Sequence, residues 1–174
     1  MIRLGILVAA FVAFTVSAQA ADSALSPAAN AAFLAAYAKK PGVYQRPSGL
    51  EYRILHNGVG MRPGLQDTVT VYYKGSLING SVFDATEPGF PAQLKVNAVI
   101  PGWTEALLNM RVGDHWELAI PSSLAYGNRG AGGGVIPPNQ TLVFDLELVD
   151  TTPPTEQEKQ QEKEQEQKQS GQSQ

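Results

Sequence analysis

Between Gly49 and Asp150, apolar residues alternate with polar ones in short runs separated by turns bearing glycine or proline. A repeated period of two is the signature of half-buried strands, and it restricts the fold more than any other feature of the chain. Tyr52 and Ile54 alternate with polar neighbours. Val69, Val71 and Tyr73 share one strand face, with Thr70, Tyr72 and Lys74 on the other. Asn57-Gly58 and Pro63-Gly64 mark turns. Asn79-Gly80 fits a two-residue hairpin turn in which both residues tolerate positive φ, with a return strand through Val82 and Phe83 to Asp84. Leu94 with Val96, then Trp116, Leu118 and Ile120, then Leu142, Phe144, Leu146 and Leu148 continue the alternation. It breaks once, where Trp103, Leu107 and Met110 fall at i, i+4 and i+7, one face of a short amphipathic helix that Gly113 is placed to stop. The pattern predicts an α+β fold, a curled antiparallel sheet of about five strands wrapped over one short helix.

Four segments are expected. In residues 1–20, Arg3 precedes an apolar run from Leu4 to Val16, and Ala18-Gln19-Ala20 supplies a small-x-small cleavage site, the pattern of a secretory signal peptide. The run is shorter than the roughly 20 residues a spanning helix needs, so no membrane insertion is expected after cleavage. Residues 21–47 carry Phe33, Leu34 and Tyr37 at helical spacing before Pro41-Gly42. They suit a short helix packed on the domain, or an oligomerisation helix too short to favour; a monomer is expected. Residues 48–150 form the globular domain. Within it, residues 121–139 hold Gly132-Gly133-Gly134 and Pro137-Pro138, a long loop of the kind that is usually functional or disordered. Residues 151–174 are glutamine-, glutamate- and lysine-rich with almost no apolar residue, a solvated and disordered tail with some transient helix.

Composition narrows the chemistry. The formal net charge is −3, and the chain lacks the basic patch that nucleic acid as a partner would require. With no cysteine, disulfides, thiol catalysis and thiolate metal ligation are excluded. His56 and His115 lie far apart without a ligand pattern, and no paired carboxylates or phosphate loop are present. What remains is a set of aromatics: Tyr73, Phe83, Trp103, Tyr126 and Phe144, with Asp84 directly after the second. Taken singly, each fits a packed core as well as a cavity wall. An aromatic cavity without conventional catalytic groups suits a reaction that breaks no covalent bond, such as rotation about the peptide bond before proline.

The strings V-T-V-Y-Y-K-G (69–75), N-G-S-V-F-D (79–84), V-I-P-G-W (99–103), L-A-Y-G (124–127) and V-I-P-P-N-Q-T-L-V-F-D (135–145) occur in this order. Together they resemble the FKBP-type peptidyl-prolyl isomerases over about Ser48 to Val149. The leader and P-S-G-L-E-Y (47–52) are similar to the exported bacterial branch near the macrophage infectivity potentiators. The resemblance implies a pocket with Trp103 as floor, Tyr73, Phe83, Val99, Ile100 and Phe144 as walls, and Asp84 and Tyr126 as a polar rim. Ile136 would close one side, and Phe90 is a further candidate wall. Tyr73, Asp84 and Tyr126 would carry the catalytic roles, and the Ile100 N–H would donate to a carbonyl of the bound ligand. The family implies proline-containing peptides and unfolded exported proteins as substrates, rapamycin-type macrolides as inhibitors, and no cofactor or metal. Periplasmic or extracellular placement follows from the leader. A peptide-holding module using the same pocket is the alternative. Pro101 departs from the polar or basic residue common in the family, and the loop at 127–134 carries no histidine or aromatic.

Overall fold

The computed structural model describes residues 24–171; the expected signal peptide at 1–20 lies outside them. Seven strands make one antiparallel sheet: β1 (Val43–Gln45), β2 (Glu51–His56), β3 (Thr68–Leu77), β4 (Val82–Ala85), β5 (Ala92–Lys95), β6 (His115–Ile120) and β7 (Leu142–Thr152). Their spatial order is β1-β2-β6-β7-β3-β4, with β5 also on β3. The sheet thus has more strands than the expected five or so. β1 is three residues long, too short for a period of two to show, and it pairs Tyr44 with Tyr52 of β2.

The two longest strands, β3 and β7, lie side by side and carry the core. Leu142, Phe144, Leu146 and Leu148 of β7 are buried in strict alternation, and then the phase slips by one so that Thr151 is the next buried residue. The cause is a bulge: Thr70 pairs with Asp150 and Val71 with Leu148, leaving Val149 without an opposite residue. Against this face lies α2 (Pro101–Asn109), with Trp103, Ala106 and Leu107 buried. The helix that precedes the sheet in sequence is α1 (Pro27–Tyr37). Full burial of a side chain such as Leu107 contributes roughly 1.5–3 kcal/mol. Gly102 permits the close approach of α2 to the sheet, because a Cβ there would sit 2.5 Å from Ile120 Cγ2.

Two turns differ from expectation. Only Gly80 takes positive φ at the β3–β4 hairpin (87°), and Asn79 does not. The Leu77 N–H bonds the Ser81 carbonyl (2.9 Å), so the loop holds three residues, with the Asn79 side chain accepting from the Ser81 N–H. Gly113 does not stop α2. That helix ends at Asn109, where Met110 turns extended (ψ 163°), and Gly113 (φ 93°) instead builds the turn into β6.

α1 (Pro27–Tyr37) begins at Ser26, whose hydroxyl caps the Ala29 N–H, with Pro27 at the first helical position. Asn30 and Tyr37 are buried, and the Tyr37 hydroxyl donates to Glu117 Oε1 of β6 (2.9 Å). Residues 156–171 form α3 (Glu156–Gly171), a helix where a disordered tail was expected. Its residues are strong helix formers, and Thr155 and Glu158 cap its start reciprocally.

Candidate functional site

A cavity of about 390 Å³ opens between the sheet and the N-terminal end of α2. β3 contributes Tyr73, β4 contributes Phe83 and Asp84, and β7 contributes Phe144. Val99 and Ile100 form the approach to α2, Trp103 lies in its first turn, and Tyr126 comes from the long loop. Leu94 of β5 and Ala98 complete the lining. These last two are absent from the sequence-derived site. Leu94 was visible only as a strand residue, and Ala98 carries no signal in its own right.

The rings form an edge-to-face box. Tyr73 and Trp103 have centroids 5.2 Å apart at 85°, Trp103 and Phe144 5.2 Å at 81°, and Phe83 and Phe144 5.6 Å at 84°. Trp103 is 3% exposed and Phe144 5%, so both are core and cavity wall at once. Gly75 makes the packing possible. It pairs with Phe144 on one side and Asp84 on the other, and a Cβ there would lie 2.6 Å from Phe83 Cζ and 2.7 Å from Phe144 Cε1.

The polar rim is held from Tyr73. Its hydroxyl donates to Asp84 Oδ2 at 2.7 Å. Burial, with Asp84 as the next cause, pushes the phenol up to about 12, so near neutral pH it is an un-ionised donor. Its backbone is clamped by Thr86, which exchanges hydrogen bonds with the Tyr73 N–H and carbonyl (Thr86 Oγ1 to Tyr73 N 3.0 Å; Thr86 N to Tyr73 O 3.0 Å). Nothing in the sequence pattern singled out Thr86. Tyr126 adds a second phenol to the cleft lining, 40% exposed.

Ile100 caps α2 with its carbonyl, which accepts from the Trp103 N–H (2.9 Å) and the Thr104 N–H (3.1 Å). Its own N–H has no partner among the described residues. The Thr104 hydroxyl donates to the Val96 carbonyl (2.8 Å) and so ties the preceding turn to the helix. Pro101 occupies the first helical position, where an N–H would have no helical partner.

Two expected wall residues lie elsewhere. Ile136 is outside the cavity lining and only 6% exposed, drawn into the hydrophobic core beside the bridge it makes with Ala131. Phe90 is 74% exposed where it closes the tight turn Glu87–Phe90 that Gly89 (φ 83°) allows, and it is also outside the lining. His115 is bonded to Asp145 (2.7 Å) and His56 to the Gly113 carbonyl (3.1 Å). Among the described residues no three His, Asp or Glu side chains gather as a metal site.

A curled antiparallel sheet over one short helix, with an aromatic cleft at that helix's N-terminus and a hydrogen-bonded carboxylate at its rim, is the FKBP-like class of domain. Residues 60–149 match the model of the FKBP-type peptidyl-prolyl cis-trans isomerase family, and residues 6–54 match that of the domain amino terminal to it. The chain belongs to the FKBP-type peptidyl-prolyl cis-trans isomerase family.

Its relatives include the outer membrane protein MIP of Legionella longbeachae, 54% identical over 119 residues (68% of this chain, 51% of the relative). The FKBP-type 22 kDa peptidyl-prolyl cis-trans isomerase of Escherichia coli K12 is 52% identical over 119 residues (68% of this chain, 57% of the relative). The chain thus matches about half the length of these curated relatives. Of solved structures, a peptidyl-prolyl cis-trans isomerase from Pseudomonas syringae pv. tomato superposes with TM-score 0.67 at 36% identity, covering 80% of this chain and 99% of that one. FkpA from Escherichia coli gives 0.68 at 44% identity, covering 79% and 65%.

Proposed function

We propose that this domain accelerates cis–trans rotation of peptide bonds preceding proline and so assists the folding of exported proteins. The observation that carries this reading is the edge-to-face box of Tyr73, Trp103 and Phe144, rimmed by the Tyr73–Asp84 hydrogen bond. The barrier to rotation, about 18–20 kcal/mol, arises from amide resonance. In the twisted transition state the amide loses conjugation, and its carbonyl carries less charge separation than in the planar form. Water stabilises the planar form better, so an apolar cleft lowers the barrier by differential solvation. Each tenfold acceleration needs about 1.4 kcal/mol.

In this reading the proline ring lies on the Trp103 indole between Tyr73 and Phe144 while the preceding carbonyl turns. The unpartnered Ile100 N–H donates to a substrate carbonyl, and the Tyr126 hydroxyl donates to another. Asp84 acts electrostatically and orients Tyr73. No proton is transferred. The same cleft would hold a rapamycin-type macrolide. The leader at 1–20 directs export to the periplasm or beyond, and a mature N-terminus at Ala21 after expression in an exporting bacterial host would bear this out.

The deciding experiment is exchange spectroscopy on a short Leu-Pro peptide, with and without the chain, repeated with rapamycin. Acceleration abolished by the macrolide supports isomerase activity in this cleft. Binding of the macrolide without acceleration would leave a peptide-holding module, and neither effect would make the aromatic set core alone.

A further inference from the structure

We infer that Asn30, on the N-terminal helix, is a positioning residue for Tyr126, acting through Gln140 and the closing rung of the long loop. The inference rests on the isomerase reading for its effect on turnover, but its geometry is independent of it. Asn30 and Gln140 are 110 residues apart in sequence, both 5% exposed, and their carboxamides meet, Asn30 Nδ2 donating to Gln140 Oε1 (3.2 Å). Asn30 Nδ2 also donates to the Leu25 (3.1 Å) and Ser26 (3.0 Å) carbonyls, and its Oδ1 accepts from the Thr141 N–H at 2.7 Å. Gln140 Nε2 in turn donates to the carbonyls of Leu25 (3.1 Å) and Pro138 (2.9 Å). The start of α1 and the end of the loop are thereby locked by one buried amide pair. A buried polar pair of this kind is costly to break, because removing one partner leaves the other unsatisfied.

From Gln140 the link runs directly to the cleft. Asn139 is the one non-glycine residue at positive φ among those described (61°), and its N–H donates to the Gly127 carbonyl (2.8 Å). Gly127, itself at φ 55°, donates its N–H to the Ser122 carbonyl (2.8 Å). Tyr126 thus sits in the Ser122–Gly127 turn, directly before the Gly127 carbonyl at which Asn139 closes the rest of the loop. Among the described residues its phenol has no hydrogen-bond partner, and it reaches the rim 40% exposed, so its direction is set by this backbone. Fixing Pro138, Asn139 and Thr141 from the Asn30 side selects the unusual Asn139 conformation that makes the Gly127 bond. A displacement of a positioning group by about 1 Å can cost a large factor in rate.

The test uses the full chain and the Asn30→Ala variant. Amide hydrogen exchange at Thr141, Asn139 and Gly127 should rise at least about tenfold, while Val71 and Leu146 in the central strands stay protected. The kcat/KM for a Leu-Pro peptide should fall about three- to tenfold, and in a Tyr126→Phe background the same change should cost less than about twofold. Gln140→Met, which leaves Asn30 in place, should give the same pattern and guards against misfolding of the first variant. Unchanged exchange at Asn139 and Gly127 would overturn the inference. So would a loss of turnover that persists in full without the Tyr126 hydroxyl, since a merely structural role predicts independent effects. Should the unaltered chain fail to accelerate rotation, the isomerase reading falls, and the exchange measurement still decides whether the Asn30–Gln140 pair holds the loop.

Discussion

Tyr73 and Asp84 act as one group, because the phenol gives its only proton to the carboxylate at 2.7 Å. Asp84→Leu removes the acceptor and frees the phenol while leaving the rings of the box in place. Because the site is at the rim, stability should change little, whereas kcat/KM should fall about tenfold, equivalent to about 1.4 kcal/mol. Turnover equal to that of the unaltered chain would remove Asp84 from the mechanism. The same pair sets a pH dependence. Burial first, then the bond to Asp84, pushes the Tyr73 phenol from 10.0 up to about 12 in the folded chain. Burial and the bond to Glu117 raise Tyr37 as well. Raised folded values mean that the folded state keeps protons the unfolded chain has released. The stabilisation is whole below pH about 10 and is lost as pH rises through the folded values. Denaturant midpoints measured across this range should fall steadily. A fall equally steep in the Tyr73→Phe, Tyr37→Phe double variant would show that other groups cause it.

The strands and α2 owe their legibility to burial on one face, which imposes a period that a reader of residues can see. What escaped that reading was set by pairing between distant segments. β1 is too short to show a period, and the slip at Val149 in β7 exists only because β3 lies opposite it. The family resemblance implied that Ile136 closes one side of the cleft and offered Phe90 only as a further candidate wall. Phe90 is left exposed where it closes a tight turn, and the core absorbs Ile136. Thr86, Leu94 and Ala98 reach the site through strand pairing and loop path, which leave no mark on neighbouring residues. Gly75 shows how an element's pairing shapes the cleft. It lies between Phe83 and Phe144 where any Cβ would intrude on both rings. Gly75→Ala should therefore overpack the box, lowering stability by about 1–3 kcal/mol. If the rings yield toward the cavity, the macrolide binding proposed for this cleft should weaken more than the stability loss accounts for. Thermal unfolding together with titration calorimetry would separate the two, and unaltered affinity would mean that the rings move elsewhere.

At the scale of the whole molecule, the sheet and α2 bury the core between Leu50 and Leu148, and α1 is fastened to that body by Asn30 and Tyr37. α3 stands apart from this scheme. Its residues are glutamate, glutamine, lysine, serine and glycine, so it offers no apolar face to bury. Its start is held locally, where Thr155 caps the Glu158 N–H and the Glu158 carboxylate answers on Thr155. Those bonds hold the Glu158 carboxyl below the usual carboxylate range. A helix secured mainly by capping, propensity and an exposed Glu156–Lys159 ion pair is marginal at this length, since tertiary packing normally supplies most of a helix's stability. Removing residues 153–174 should therefore leave the unfolding midpoint and the Leu-Pro exchange rate of the domain unchanged, while helical ellipticity falls. In the full chain, heating should melt that part of the helical signal before the cooperative transition of the sheet. If the truncated chain instead unfolded at a lower denaturant concentration, α3 would have to contribute to the domain through its charges, with Lys95 the first cation to test, because it already contributes to lowering the Glu158 carboxyl.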